Sequence, residues 1–189
     1  MRRIGILGDI GSGKSYIANS FGYPVFNADE EVAKVYKKDK KVFIKLKKIL
    51  PKYISSYPVK KDEISNAILI NKNNLKKIIK IVHNAVRKKL SLFLKKNKNK
   101  KVVILDIPLL LENKINKKND ILIFIHANKK KIFKKLKKRK NFNVKLFSVF
   151  KKIQLPLAYK KQKSNFIIEN NFTKKGIKRD INKILNKIL

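Results

Sequence analysis

Cysteine is absent from this chain of 189 residues, which excludes a disulfide framework and any thiolate metal site. No apolar run approaches the roughly 20 residues needed to span a bilayer. The N-terminus enters an apolar strand pattern almost at once, without the layout of a signal peptide. These absences lead us to expect a cytoplasmic protein that does not work on a membrane. Acidic residues are few, 12 against 50 lysines and arginines. Hydrophobic residues reach 43%, which argues against disorder despite the charge. The length suits one domain, residues 1–189, with a sizeable core.

The formal net charge is +38. An excess of this size ordinarily suggests nucleic acid or an anionic surface. Here it is nearly all lysine, spread along the whole chain beside abundant isoleucine and asparagine. Those residues share A/T-rich codons, so genome bias explains the charge at least as well as a selected partner does. The basic segments lack the aromatic interleaving of a single-strand binder. Arginine, the preferred reader of bases and phosphates, occurs only five times. We expect no specific nucleic-acid partner, only salt-sensitive adhesion to polyanions.

Glycine occurs six times, and three of the six fall in Gly8-Asp9-Ile10-Gly11-Ser12-Gly13-Lys14-Ser15. That stretch fits the phosphate-binding pattern G-x-x-x-x-G-K-[ST] at every fixed position. Ile4, Ile6 and Leu7 lead in as a buried strand, and Lys14 to Phe21 leads out as a helix start. Such a loop wraps phosphates with consecutive backbone N–H groups, aided by the partial positive charge of the helix N-terminus. Gly8, Gly11 and Gly13 permit the close approach that a side chain would obstruct. Ser12 and Tyr16 lie in the same nucleotide-binding stretch. Lys14 would reach the β- and γ-phosphates, and the Ser15 hydroxyl would ligate Mg²⁺. The chain handles a nucleoside triphosphate.

Five short apolar runs read as strands: Arg3–Leu7, Pro24–Phe26, Val102–Leu105, Ile121–Ile125 and Phe166–Ile168. Alternating with helical stretches, they suit an α/β fold whose parallel sheet is covered on both faces. Asp29, Asp106 and Asn170 follow three of them, at the carboxyl edge where open sheets bind ligands. From about Val32 to Lys98 the pattern is helical, with Leu75, Ile78, Ile79, Val82, Val86 and Leu90 on one face and breaks at Pro51 and Pro58. This interval reads as a substrate-binding insertion. Ile132, Phe133 and Leu136 mark an amphipathic helix, followed by Arg139 and a polar turn at Asn141–Asn143. Ile177, Ile181, Ile184, Leu185 and Ile188 mark a C-terminal helix packed on the sheet.

Several residues carry chemistry. Asp29 fits two roles: a carboxylate that accepts a hydroxyl proton in phosphoryl transfer, or the cap of a helix starting at Glu30. Asp106 has the layout of a Walker-B acid that holds Mg²⁺ through water. Arg139 is a candidate bidentate phosphate clamp, or equally an exposed surface arginine. His83 is either a substrate contact or a partly buried structural histidine, and His126 reads as structural. No histidine–carboxylate cluster suggests a transition-metal site.

Taken together, these motifs resemble the dephospho-coenzyme A kinase family. The matches are Ile10-Gly11-Ser12-Gly13-Lys14-Ser15, Asn27-Ala28-Asp29, and most specifically Asp106-Ile107-Pro108-Leu109-Leu110-Leu111-Glu112. His83, Gln154 with the basic stretch after it, and Phe166-Ile167-Ile168-Glu169-Asn170 agree as well, whereas residues from about Lys37 to Lys61 match nothing. The resemblance implies a three-layer P-loop kinase fold with a five-stranded parallel sheet, a helical substrate-binding insertion at about 37–98 and a lid at about 128–145. It implies transfer of the ATP γ-phosphate to the ribose 3′-hydroxyl of dephospho-coenzyme A. In that picture Asp29 is the base, and Lys14 acts with it in catalysis. The loop, Tyr16, Arg139 and Asn170 bind ATP, Ser15 and Asp106 serve Mg²⁺, and His83 and Asp106 lie on the acceptor side.

The chain departs from the family pattern at five places. Asp9 stands where glycine is usual, Tyr16 for threonine, Asn66 for an arginine, Asn84 for the proline after His83, and Asn165 for an aspartate. The reading is an active, diverged enzyme. The competing readings are a P-loop kinase for another small acceptor, such as a nucleoside monophosphate, and a nucleic-acid-binding ATPase. The Asp106–Glu112 run opposes the first, and only charge supports the second.

Overall fold

The five apolar runs form five strands, each within a residue or two of its expected bounds: β1 (Arg2–Gly8), β2 (Val25–Asn27), β3 (Val102–Asp106), β4 (Ile121–His126) and β5 (Phe166–Glu169). The structure, a computed structural model, describes residues 1–139 and 142–189. The helices are α1 (Lys14–Ser20), α2 (Ala28–Lys38), α3 (Lys40–Ile49), α4 (Lys61–Ile70), α5 (Asn73–Lys96), α6 (Lys129–Lys137), α7 (Val144–Lys152), α8 (Leu157–Gln162) and α9 (Lys174–Ile188). The chain divides into two compact units, one of residues Met1–Asn27, Asn97–Phe142 and Ile153–Leu189, the other of Ala28–Lys96 and Asn143–Lys152.

The first unit holds the sheet, all parallel in the order β2-β3-β1-β4-β5. β3 is buried along its whole length and β1 over its last five residues, the continuous burial that helix-covered parallel strands require. On one face Ile4, Ile6, Ile104, Ile123, Ile125 and Ile168 pack with Ile17 and Ala18 of α1 and with Ile177, Ile181, Ile184 and Ile188 of α9. The α9 residues recur at helical spacing, and each buried isoleucine contributes about 1.5–3 kcal/mol. β1 lies between β3 and β4, so the chain leaves the sheet at Gly8 where strand order reverses, the usual place for a ligand crevice.

The second unit is helical. Val35 of α2, Val42 and Leu46 of α3, Ile64 and Ile68 of α4, Val149 of α7 and the apolar face of α5 are among its buried residues. On α5, Leu75, Ile78, Val82 and Leu90 are buried as expected, with Ile79 and Val86 half-buried. Asp39 caps α3 by accepting from the Val42 N–H at 3.0 Å. Glu63 organises the turn before α4. It accepts from the Ser55 N–H and hydroxyl (both 2.9 Å), the Ser56 N–H (3.0 Å) and the Lys60 N–H (3.2 Å). Partial burial opposes its ionisation, but these donors outweigh it and hold the carboxyl down to about 2.

Three expectations change, and Arg139 stands as one of its two readings had it. The helical unit begins at Ala28 and takes in residues 143–152, so it is longer and less continuous than an insertion at 37–98. Helix α2 starts at Ala28 rather than Glu30, which puts Asp29 inside the first turn and removes its role as the cap. Phe133 is 42% exposed while Ile132 and Leu136 are buried; it stacks edge-on with Phe142 instead of joining the core. Arg139 is exposed and lies beyond α6, which ends at Lys137. The polar turn begins at Asn141, outside the described residues. Among the described residues, no helix is long and apolar enough to cross a membrane.

Candidate active site

The loop after β1 closes because three glycines adopt positive φ: Gly8 at 147°, Gly11 at 81° and Gly13 at 90°. Gly13 is doubly constrained, since a Cβ there would collide with the Asn170 side-chain amide. The Ser12 N–H donates to the Asp9 carbonyl at 3.2 Å, and the Ile17 N–H donates to Gly13 at 3.1 Å, carrying the loop directly into α1. The Lys14 ammonium donates to the carbonyls of Asp9 (2.7 Å) and Gly8 (3.3 Å), which holds its charge on the loop itself. Ser15 and Tyr16 are exposed at the head of α1, and Ser12 is fully buried.

Asn170 braces this loop. Its Nδ2 donates to the Ser12 carbonyl at 2.8 Å and its Oδ1 accepts from the Phe172 N–H at 2.7 Å. Its own N–H donates to the His126 carbonyl at 2.7 Å. The sequence reading put Asn170 on the nucleotide, whereas the buried side chain ties the loop to the end of β5. His126 is exposed and pairs with Glu169 across neighbouring strands at 2.6 Å, in keeping with a structural role.

Asp106 is the last residue of β3 and only 3% exposed. Asn27, its register partner on β2, donates from Nδ2 to Asp106 Oδ2 at 3.3 Å. The run after Asp106 is anchored at its far end. There Glu112 Oε1 accepts from the Leu155 N–H (3.0 Å) and from Lys160 (2.8 Å). Lys160 also donates to Gln154 at 3.2 Å, and its side chain is 1% exposed. A lysine is seldom buried this deeply without a partner. Sequence reasoning found Gln154 but missed Lys160, one lysine among many. Its signal was its place in the basic stretch after Gln154, which did not single it out from Lys161 and Lys163.

The other candidates lie in the helical unit. Asp29 stands in the first turn of α2 with Glu30 and Glu31, where the helix dipole favours negative charge. His83 is half-buried on α5; burial first, and the Arg87 charge second, push its pKa below the usual histidine value, so it is neutral at pH 7.

A strand, a glycine loop into a helix, a lysine on that loop and a buried acid ending a second strand thus belong to one unit. The dephospho-CoA kinase family model matches residues 2–175. The chain belongs to that family. It is 34% identical over 190 residues to the dephospho-CoA kinase of Wolbachia sp. subsp. Brugia malayi, covering 98% of this chain and 97% of the relative. The fold matches the crystal structure of a Thermus thermophilus protein at TM-score 0.80 and 23% identity, covering 100% of this chain and 98% of that one. It also matches a dephospho-CoA kinase from Campylobacter jejuni at TM-score 0.64 and 21% identity, covering 99% and 97%. The activity is that of the family, phosphoryl transfer to dephospho-coenzyme A, the final step of coenzyme A synthesis.

Two of the departures from the family pattern, Asp9 and Asn165, have local explanations. Asp9 is buried, and its carboxylate accepts from the Ile10 N–H at 2.8 Å, so it shapes the loop turn. Asn165 exchanges two 2.8 Å hydrogen bonds with the Leu122 backbone, a strand-end role its amide fills well. Asn84 lies within the unbroken helix α5, and Asn66 is exposed on α4.

Proposed function

We propose that the chain transfers the γ-phosphoryl group of ATP to the ribose 3′-hydroxyl of dephospho-coenzyme A with Mg²⁺, in the cytoplasm. The observation that carries this reading is the phosphate loop and the buried Asp106 in one sheet unit of a kinase-family chain. The loop N–H groups hold the β- and γ-phosphates while Lys14 neutralises charge as the β–γ bridging P–O bond breaks. Asp29 orients the 3′-hydroxyl and accepts its proton as the new O–P bond forms, and ADP leaves. His83, neutral at pH 7, offers a hydrogen bond to the acceptor. Arg139, in the lid at about 128–145, clamps phosphates.

The donor set fits magnesium. Ser15 and Asp106 supply hard oxygen ligands, and Mg²⁺ needs only one or two protein ligands besides phosphate and water. Among the described residues, no cluster of three or more His, Cys, Asp or Glu offers a transition-metal site. When bound, Mg²⁺ held by Ser15 and Asp106 would offset the charge of the phosphates during transfer.

The test is product mass analysis with ATP and Mg²⁺ over a panel of dephospho-coenzyme A, nucleoside monophosphates and DNA. Added phosphate on dephospho-coenzyme A alone is expected. Phosphorylated nucleoside monophosphates in its place, or DNA-stimulated ATP hydrolysis, would overturn the reading.

A further inference from the structure

Asp9 is the only acidic residue among the first 28 of the chain, and it stands inside the phosphate loop. It is 6% exposed, so the loop rather than bulk water surrounds it. Three contacts fix it there. Its carboxylate accepts from the Ile10 N–H at 2.8 Å. Its carbonyl accepts from the Lys14 ammonium at 2.7 Å and from the Ser12 N–H at 3.2 Å. A loop suited to phosphate thus carries a negative charge of its own, directly after Gly8 and five positions before Lys14.

The shape of the turn does not require that charge. An asparagine would offer the Ile10 N–H the same Oδ1 acceptor. The charge matters for ligands instead. A phosphate brought into the loop meets a like charge on a buried carboxylate, where repulsion is roughly fourfold stronger than in water. That repulsion grows with the charge of the ligand, and Mg²⁺ on a polyphosphate cancels two of its negative charges. The rest of the chain pulls the other way, because a net charge of +38 attracts any polyanion, metal-bound or bare. Discrimination between two ligands commonly needs such a repulsive element. We infer that Asp9 is a specificity residue that makes the loop prefer magnesium-complexed polyphosphate over the bare polyanion. The inference rests on the phosphate-loop reading above and adds the residue that tells the two forms apart.

Two substitutions separate charge from shape. Asp9→Asn keeps the acceptor and removes the charge, whereas Asp9→Glu keeps the charge. The full-length parent and both variants would be titrated calorimetrically with inorganic tripolyphosphate, in Mg²⁺ and in metal-free buffer at one ionic strength. Lys14→Ala, titrated alongside, gives the baseline for binding elsewhere on the lysine-rich surface. Asp9→Asn should bind bare tripolyphosphate roughly tenfold more tightly than the parent, and the magnesium complex at most about twofold more tightly. Its thermal melt should match the parent's, and Asp9→Glu should keep the parent's preference. An unchanged or weaker affinity of Asp9→Asn for the bare form would make Asp9 a loop brace and overturn the inference, as would equal gains for both forms. A gain shared by Asp9→Glu would trace the effect to shape and overturn it too. A parent that binds both forms equally would overturn it without any variant. A parent that binds no better than Lys14→Ala would overturn the phosphate-loop reading with it.

Discussion

Replacing Asp29 with asparagine separates chemistry from folding at one atom pair. The substitution keeps shape and hydrogen-bonding capacity but removes the carboxylate that would accept the 3′-hydroxyl proton. A positioned general base contributes roughly 10²–10⁴ in rate, equivalent to about 3–5 kcal/mol of barrier. The structural cost is much smaller. Helix α2 begins at Ala28, so Asp29 is a first-turn residue that contributes through the helix dipole, about 0.3–1 kcal/mol. Glu30 and Glu31 remain in the same turn. For a chain of this length that cost lowers Tm by about 1–4 °C. Steady-state ADP release at saturating substrates gives kcat, and a thermal melt with an ATP titration gives the controls. The expected result is a kcat loss of at least a hundredfold with near-parental ATP affinity. A kcat within a few-fold of the parent would refute the reasoning and make Asp106 the next residue to test.

Three further outcomes follow from other parts of the molecule. Lys14→Ala should cost on the order of 10²–10³ in kcat, because it deletes one preorganised charge on the phosphates; near-normal turnover with an unchanged melt would show the loop to be non-catalytic. Lys160→Met leaves Glu112 buried without its cation and should cost about 3–5 kcal/mol in denaturant unfolding. Adding Glu112→Gln should recover part of that loss, and simple additivity in the double-mutant cycle would contradict the pairing. Glu63 has a folded-state pKa of about 2 against an ordinary 4.5, so its contribution is complete above pH 4.5 and is lost as pH falls towards 2. After allowance for solvent screening that amounts to roughly 1–2 kcal/mol. Glu63→Gln should flatten stability over that window, and an unchanged pH profile would count against the four-donor turn.

Much of the fold was legible because its signals are local. A parallel strand covered on both faces must be apolar at successive positions, so Val102–Leu105 and Ile121–Ile125 stood out. The glycine loop followed from backbone conformations that only glycine adopts without strain. Helices α5 and α9 showed because one face of each is buried at regular spacing. The short helices α7 and α8 were missed: the six residues of α8 are too few to set a period, and the apolar residues of α7 crowd its nine positions without marking one face. The start of α2 was misplaced by two residues because the end of β2 is set by its pairing with β3, which a single strand cannot report.

By itself the sequence determined the phosphate loop, the strand order along the chain, the acid that ends β3 and the family resemblance. Each depends on residue types at short, fixed spacing. Only the tertiary structure decided that Asn170 braces Ser12 from 158 positions away and that Lys160 is the buried partner of Glu112. Those roles arise from contacts between distant segments. A side chain takes such a role from whatever the fold brings within 3 or 4 Å, and its identity in the sequence stays the same whether that neighbour is water, a carbonyl or a charge.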